Sequence, residues 1–410
     1  MYLRKSYTVW MFTSLLFIQM TASMSQLGIT PILPFIQQEL HLSVVQMGYL
    51  AAAVQLGIAM CSIPFGLLVD YFGVKWMLFL GGLSVGMASF SLYWLEGYVF
   101  ILIAFLLIGI CYANFHPSIS KGILILFPPQ IRGTGMGIRQ TVVSVSAFIG
   151  AVWLPFMAVN YHWKTGYLII GCFLMLISFT ALFFRDVEHE GRKMKDSVNS
   201  SLTRSQFVYV LRNETIQAIC FTTPFLFIAQ FTTAAYLVVD VNERFEIPLI
   251  QAGYLLAFLQ FGSIVGRIFF GMLGDLFFMH RRELLLACIS IATGLIMLAF
   301  ALNPSNGFTT LSIFAFLIGM TGSGWVGIIN VIVIESVEAK YVGVASGITA
   351  TLGYLSPTIG TPLFGYLHDF FGGFSLPWMI LAGSMFFPAV VLYRLQRKKE
   401  QDVERTSVSG

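Results

Sequence analysis

Apolar residues run along this chain in blocks of about twenty, separated by short stretches that hold its charges, prolines and glycine-rich turns. A hydrocarbon layer about 30 Å thick needs roughly 20 apolar residues per helix, so each block can cross one. Cutting at the breaks predicts twelve spans, near 7–30, 44–69, 76–95, 98–120, 136–159, 165–184, 214–240, 250–273, 283–302, 308–334, 343–367 and 375–394. The predicted fold class is an all-α membrane protein of twelve transmembrane helices. Spans 3, 6, 9 and 12 hold no Asn, Gln, His or charged residue in their interiors, whereas spans 1, 2, 4, 5, 7, 8 and 10 each hold at least one and span 11 offers Tyr354, Thr358 and Thr361. A strongly polar side chain facing hydrocarbon is costly, so these residues are expected to face a bundle interior or a wet cavity. Every third span is then a lipid-facing support.

The halves repeat. A shift of 205 positions lays Gly48-Tyr49-Leu50, Ala52, Gln55, Gly57, Phe65-Gly66, Leu68 and Asp70 on Gly253-Tyr254-Leu255, Ala257, Gln260, Gly262, Phe270-Gly271, Leu273 and Asp275. A shift of 210 lays Leu107, Gly109, Gly133, Gly137-Ile138 and Ile149-Gly150 on Leu317, Gly319, Gly343, Gly347-Ile348 and Ile359-Gly360. Span 2 therefore recurs as span 8, and spans 4 and 5 as 10 and 11, a parallel repeat of six. The domain reading is a bundle over 1–184, a linker over 185–213 rich in charge and serine, a bundle over 214–396 and a tail over 397–410.

Composition agrees with lipid as the main solvent. Of 410 residues 57% are hydrophobic and 10% charged, against about 25% charged in a soluble chain. The net charge of +4 is spread in short clusters, which excludes a nucleic-acid partner. Lysine and arginine sit on alternate sides of the spans: with the N-terminus inside, the outer loops hold only Lys164 and Arg244. Both termini and the linker are expected in the cytoplasm, in an inner or plasma membrane. The apolar stretch after Arg4 and Lys5 is longer than a signal-peptide core, so it reads as a retained first span. The five cysteines all lie inside apolar blocks, and the six histidines show no metal-ligand spacing, so no metal, cofactor or catalytic centre is expected. No phosphate-binding glycine loop suggests ATP driving.

Span 2 ends in Gly66-Leu67-Leu68-Val69-Asp70-Tyr71-Phe72-Gly73-Val74-Lys75, and span 8 in Gly271-Met272-Leu273-Gly274-Asp275 before Arg281 and Arg282. This duplicated pattern resembles the loop signature of the major facilitator superfamily, with Tyr71 and Val74 where the family usually has basic residues. The resemblance covers essentially the whole chain. It implies two six-helix bundles in alternating access, with Gly66, Asp70, Lys75, Gly271 and Asp275 as conformational latches: glycine for close helix approach, aspartate for a helix N-terminus or a nearby base. The run from Asn114-Phe115-His116-Pro117 to Lys121, with Arg132-Gly133 and Gly137-Ile138-Arg139-Gln140-Thr141, resembles the organic-anion and cyanate-transporter branches.

Candidate solute-binding residues follow from the polar positions within the spans. Arg139 stands about two turns inside span 5 and, with Lys121, suits a carboxylate or similar anion. Its rival role is a gate pair with Glu335. Asn114, Ser118 and Lys121 share a face of span 4, with His116 nearby. Gln19 and Gln26 lie on a stripe of span 1, Gln230 on span 7 and Asn330 on span 10. The reading is a secondary transporter, not an enzyme, taking up a small organic anion with protons. Efflux of drugs or toxic metabolites is the alternative, and a non-transporting membrane sensor a rival from another class.

Overall fold

The computed structural model describes residues 5–128, 132–184, 204–279, 281–303, 307–338 and 341–408, with Asp70 described by its backbone alone. Every described regular element is a helix, which satisfies its backbone groups within the segment and so needs no water. All twelve expected spans are present, and ten are long and apolar enough to cross a membrane. The other two are span 1, built from Lys5–Leu27 and Ile29–Leu40, and span 11, built from Val342–Leu355 and Pro357–Phe371.

Boundaries differ where prolines guided the expectation. Span 1 runs on to Leu40 through Pro31 and Pro34, well past residue 30, because a membrane bundle re-satisfies the backbone groups that proline frees. Spans 2 and 3 form one continuous stretch, Val44–Ser91, broken at Gly73, whose φ of 81° and ψ of 167° only glycine adopts readily. The stretch opens with Ser43 accepting from the Gln46 amide while Gln46 accepts from the Ser43 amide, a reciprocal cap that fixes the helix start. Span 4 is Tyr98–Tyr112 followed by Phe115–Leu126, and span 10 is Phe308–Gly324 followed by Val326–Ser336. Span 12 likewise breaks in two, as Ser375–Ser384 and Phe386–Val408.

Two compact units emerge, Met1–Ser201 with Pro248–Ala257, and Leu202–Ile247 with Phe258–Gly410. The start of helix Leu249–Leu276 thus groups with the first unit. Of the expected linker, residues 185–203 lie outside the described residues, and Arg204–Arg212 is helical. Helix Phe386–Val408 runs through Arg397 into the expected tail. Lys398 contacts both oxygens of Glu214 at 2.7 and 2.6 Å, Lys399 contacts Glu283 at 2.6 Å, and Arg281 contacts Glu400 at 3.1 Å.

The sequence repeat has a packing counterpart. A Cβ on Gly109 would lie 2.1 Å from the Val54 carbonyl oxygen, and one on Gly319 would lie 1.8 Å from that of Leu259. In return, a Cβ on Gly57 would meet Leu106 O at 2.5 Å, and one on Gly262 would meet Phe316 O at 2.0 Å. Spans 2 and 4 in one unit, and 8 and 10 in the other, are therefore in backbone contact through the glycines that the 205 and 210 shifts align. Where no hydrophobic force pulls helices together, such close approach is a main source of adhesion. The support spans turn large apolar side chains outward, among them Leu80, Met87, Leu176, Leu295 and Val390.

Candidate functional site

In the first unit the break of span 4 after Tyr112 sets up a polar patch. Gln19 Nε2 donates to Ser23 Oγ and to Tyr112 Oη, both at 2.9 Å, and those two hydroxyls lie 3.0 Å apart. Gln19 Oε1 is buried with no hydrogen-bond partner. One turn along, Arg139 is 6% exposed and donates from Nη1 to Ser120 Oγ at 3.0 Å, and Ser120 donates to the His116 carbonyl at 2.7 Å. The guanidinium charge reaches both His116, whose side chain is exposed, and the Tyr112 hydroxyl. Spans 1, 4 and 5 thus bring Gln19, Tyr112, His116 and Arg139 together around one buried cation. Gln26 is buried further along span 1.

Two other candidates on span 4 each donate to a backbone carbonyl of a neighbouring span. Asn114 is 1% exposed, donates from Nδ2 to the Met77 carbonyl at 2.5 Å and accepts from Ser118 at 2.8 Å. Its carboxamide sits where a Cβ on Gly81 would be, so it ties span 4 to span 3. Lys121 donates to the Val69 carbonyl at 3.1 Å, a cation at a helix C-terminus, where the macrodipole favours it.

In the second unit Gln230 is half-buried, and its Oε1 and the neighbouring Thr233 Oγ1 are buried without hydrogen-bond partners. Asn330 is exposed. Glu335, considered as a partner for Arg139, is engaged elsewhere: Arg282 Nη1 donates to Glu335 Oε1 while Nη2 contacts Asp275 at 3.1 Å. One guanidinium at the start of span 9 therefore clips the ends of spans 8 and 10. Among the described residues, a Cβ on Gly66 or Gly271 would meet nothing within 4 Å. Lys75 is half-buried with Nζ 5.6 Å from the centre of the Trp76 ring. The Asp70 side chain lies outside the described residues.

The superfamily's profile matches residues 15–361. This chain belongs to the major facilitator superfamily. Members of that family are multi-pass membrane transporters of small solutes. The chain is 24% identical over 386 residues to the hexuronate transporter of Bacillus subtilis, covering 89% of each chain. It is 28% identical over 244 residues to the hexose-6-phosphate:phosphate antiporter of Escherichia coli, over 56% of this chain and 51% of that one. The chain spans about half the length of two of the curated relatives it matches, 47% and 51%. A bacterial homologue of the human lysosomal transporter Spinster, inward-facing and occupied, shares the fold with a TM-score of 0.71 at 15% identity, covering 96% of each chain.

Reading the sequence alone missed Tyr112 and Arg267. Tyr112 stands one turn before His116, so helical spacing alone could have grouped them. Arg267 is a half-buried cation inside helix Leu249–Leu276, in the second unit.

Proposed function

We propose that the chain is an alternating-access secondary transporter that carries a small organic anion inward with protons, in a cell membrane with both termini in the cytoplasm. The observation that carries this reading is Arg139, buried among Ser120, His116 and Tyr112 in a single bundle. A guanidinium presents paired donors that fit a carboxylate or phosphate. Its insertion into the membrane costs about 2.5–3.5 kcal/mol, which an arriving anion offsets. An anion seated on Arg139 also compensates the charge a proton brings to His116, so the two load together. The solutes named for the two relatives support an anion: a hexuronate carries a carboxylate and a hexose 6-phosphate a phosphate. The sparse positive charge of the outer loops supports the orientation.

The test uses the purified protein in liposomes, with labelled D-galacturonate and glucose 6-phosphate as probes. Acid outside should drive accumulation of at least one of them in wild type, and Arg139→Ala should abolish it. Equal uptake of neutral glucose would refute anion selectivity. Uptake that needs internal phosphate and ignores the proton gradient would replace symport with exchange.

A further inference from the structure

The second unit holds a cation beside an aromatic wall. Arg267 stands nine residues before the helix end at Leu276, about 13 Å along the axis. Its neighbour Gly266 is pressed onto span 10, where an added Cβ would lie 2.1 Å from the Met320 carbonyl oxygen, and a Cβ on Gly324 would lie 2.9 Å from the Gly266 carbonyl carbon. Residues 266 and 324 are thus in backbone contact, which brings Arg267 beside the start of the second half of span 10. There Trp325, 1% exposed, backs the ring of Phe227 at 5.1 Å.

Phe227 stacks with Phe231 at 6.0 Å and meets Tyr354 edge-on at 5.3 Å, and Phe231 lies 6.2 Å from Tyr354. The wall is held from behind, since a Cβ on Gly353 would come within 2.6 Å of the Phe227 ring. Phe227, Phe231 and Tyr354 are each only half-buried, so part of each ring is accessible. Tyr354 lies within electrostatic range of the Arg267 guanidinium, and Gln230, between Phe227 and Phe231 in helical order, leaves its buried Oε1 without a hydrogen-bond partner.

We propose that Arg267, Tyr354, Phe227 and Phe231 form a binding site for an aromatic carboxylate, with the carboxylate on Arg267 and the Tyr354 hydroxyl and the ring against the two phenylalanines. An aromatic face favours a flat ring over a puckered one, and a guanidinium favours a carboxylate over an amide. The site lies wholly within the second unit and stands whether or not Arg139 recognises an anion.

Calorimetry on the purified full-length protein tests it, with benzoate, benzamide, cyclohexanecarboxylate and D-galacturonate as probes. Wild type should bind benzoate at least tenfold more tightly than benzamide or cyclohexanecarboxylate. Arg267→Gln should weaken benzoate at least tenfold, and Arg267→Lys should recover little. Phe227→Leu, which conserves apolar volume, should erase most of the preference for benzoate over cyclohexanecarboxylate while the melting temperature stays near that of wild type. The proposal is overturned if wild type shows no benzoate binding at 10 mM probe, on the order of a very weak ligand. It is equally overturned if Arg267→Gln binds benzoate within twofold of wild type, or if Phe227→Leu weakens both acids alike. Loss of D-galacturonate binding in Arg139→Ala, with benzoate intact, would support both sites separately.

Discussion

Replacing Gly109 with alanine places a methyl group 2.1 Å from Val54 O, 2.8 Å from Val54 C and 2.9 Å from its Cα. Those atoms are backbone, so no side chain can swing aside. Restoring an ordinary contact means spreading spans 2 and 4 by about 1 Å, with an overpacking cost of about 1–3 kcal/mol. The intrinsic preference of a helix for alanine over glycine returns about 0.5–1 kcal/mol, leaving a net loss of about 0.5–2 kcal/mol. Gly319→Ala, at 1.8 Å from Leu259 O, should lose at least as much in the other unit. Gly66→Ala adds a methyl into open space and should be neutral or slightly stabilising. At about 2–4 °C per kcal/mol for units of this size, thermal melts of the purified protein should fall by about 1–8 °C for Gly109→Ala. They should hold steady for Gly66→Ala. Losses at 109 and 319 should add in the double variant, because the positions share no partner. Equal melting temperatures for the 66 and 109 variants would refute the packing argument.

Tyr112→Phe removes one hydroxyl from the Gln19, Ser23 and Arg139 patch. D-galacturonate affinity should drop about three- to tenfold, the equivalent of one hydrogen bond, with folding preserved; an unchanged affinity measured by calorimetry would remove Tyr112 from the site. Arg282→Gln breaks contacts to Asp275 and Glu335, carboxylates whose side chains are 73% and 56% exposed. The expected stability loss is therefore small, about 1 kcal/mol, but hydrogen exchange near Glu335 should rise, and unchanged exchange would argue against the clip. In a cysteine-free background, a cysteine at Ser200 should be labelled only from the cytoplasm and one at Gly97 only from outside; labelling of Ser200→Cys on intact cells would overturn the orientation.

The span count was legible because the hydrophobic run length needed to cross a bilayer leaves little freedom, and the repeat because backbone contact at Gly57, Gly109, Gly262 and Gly319 tolerates no larger residue. The break at Ser356 has a local signal in Pro357, which opens the next helix, whereas those at Gly28, after Tyr112 and at Trp325 have no proline at the first position of the helix that follows. The site was partly legible. Polar residues in apolar blocks marked Gln19, His116, Arg139, Asn114 and Lys121, but the partners of the last two, Met77 and Val69, lie on other spans and cannot be read from spacing. Arg267 escaped notice because it stands among Ile268, Phe269 and Phe270, just before the more recognisable glycine and aspartate pattern. Glu335, the rival partner for Arg139, receives a hydrogen bond from Arg282, a contact across spans that spacing does not reveal.

The most direct test of the central claim is calorimetric binding of D-galacturonate and glucose 6-phosphate to wild type, Arg139→Ala, Arg139→Lys and, as a control arginine outside the patch, Arg282→Gln. If Arg139 recognises the anion, its removal should cost about 2–5 kcal/mol, on the order of thirtyfold or more in affinity. Lysine should restore little, for want of a two-point contact, and Arg282→Gln should bind within about threefold of wild type. Arg139→Ala that folds, inserts and binds both probes within twofold of wild type would contradict the account.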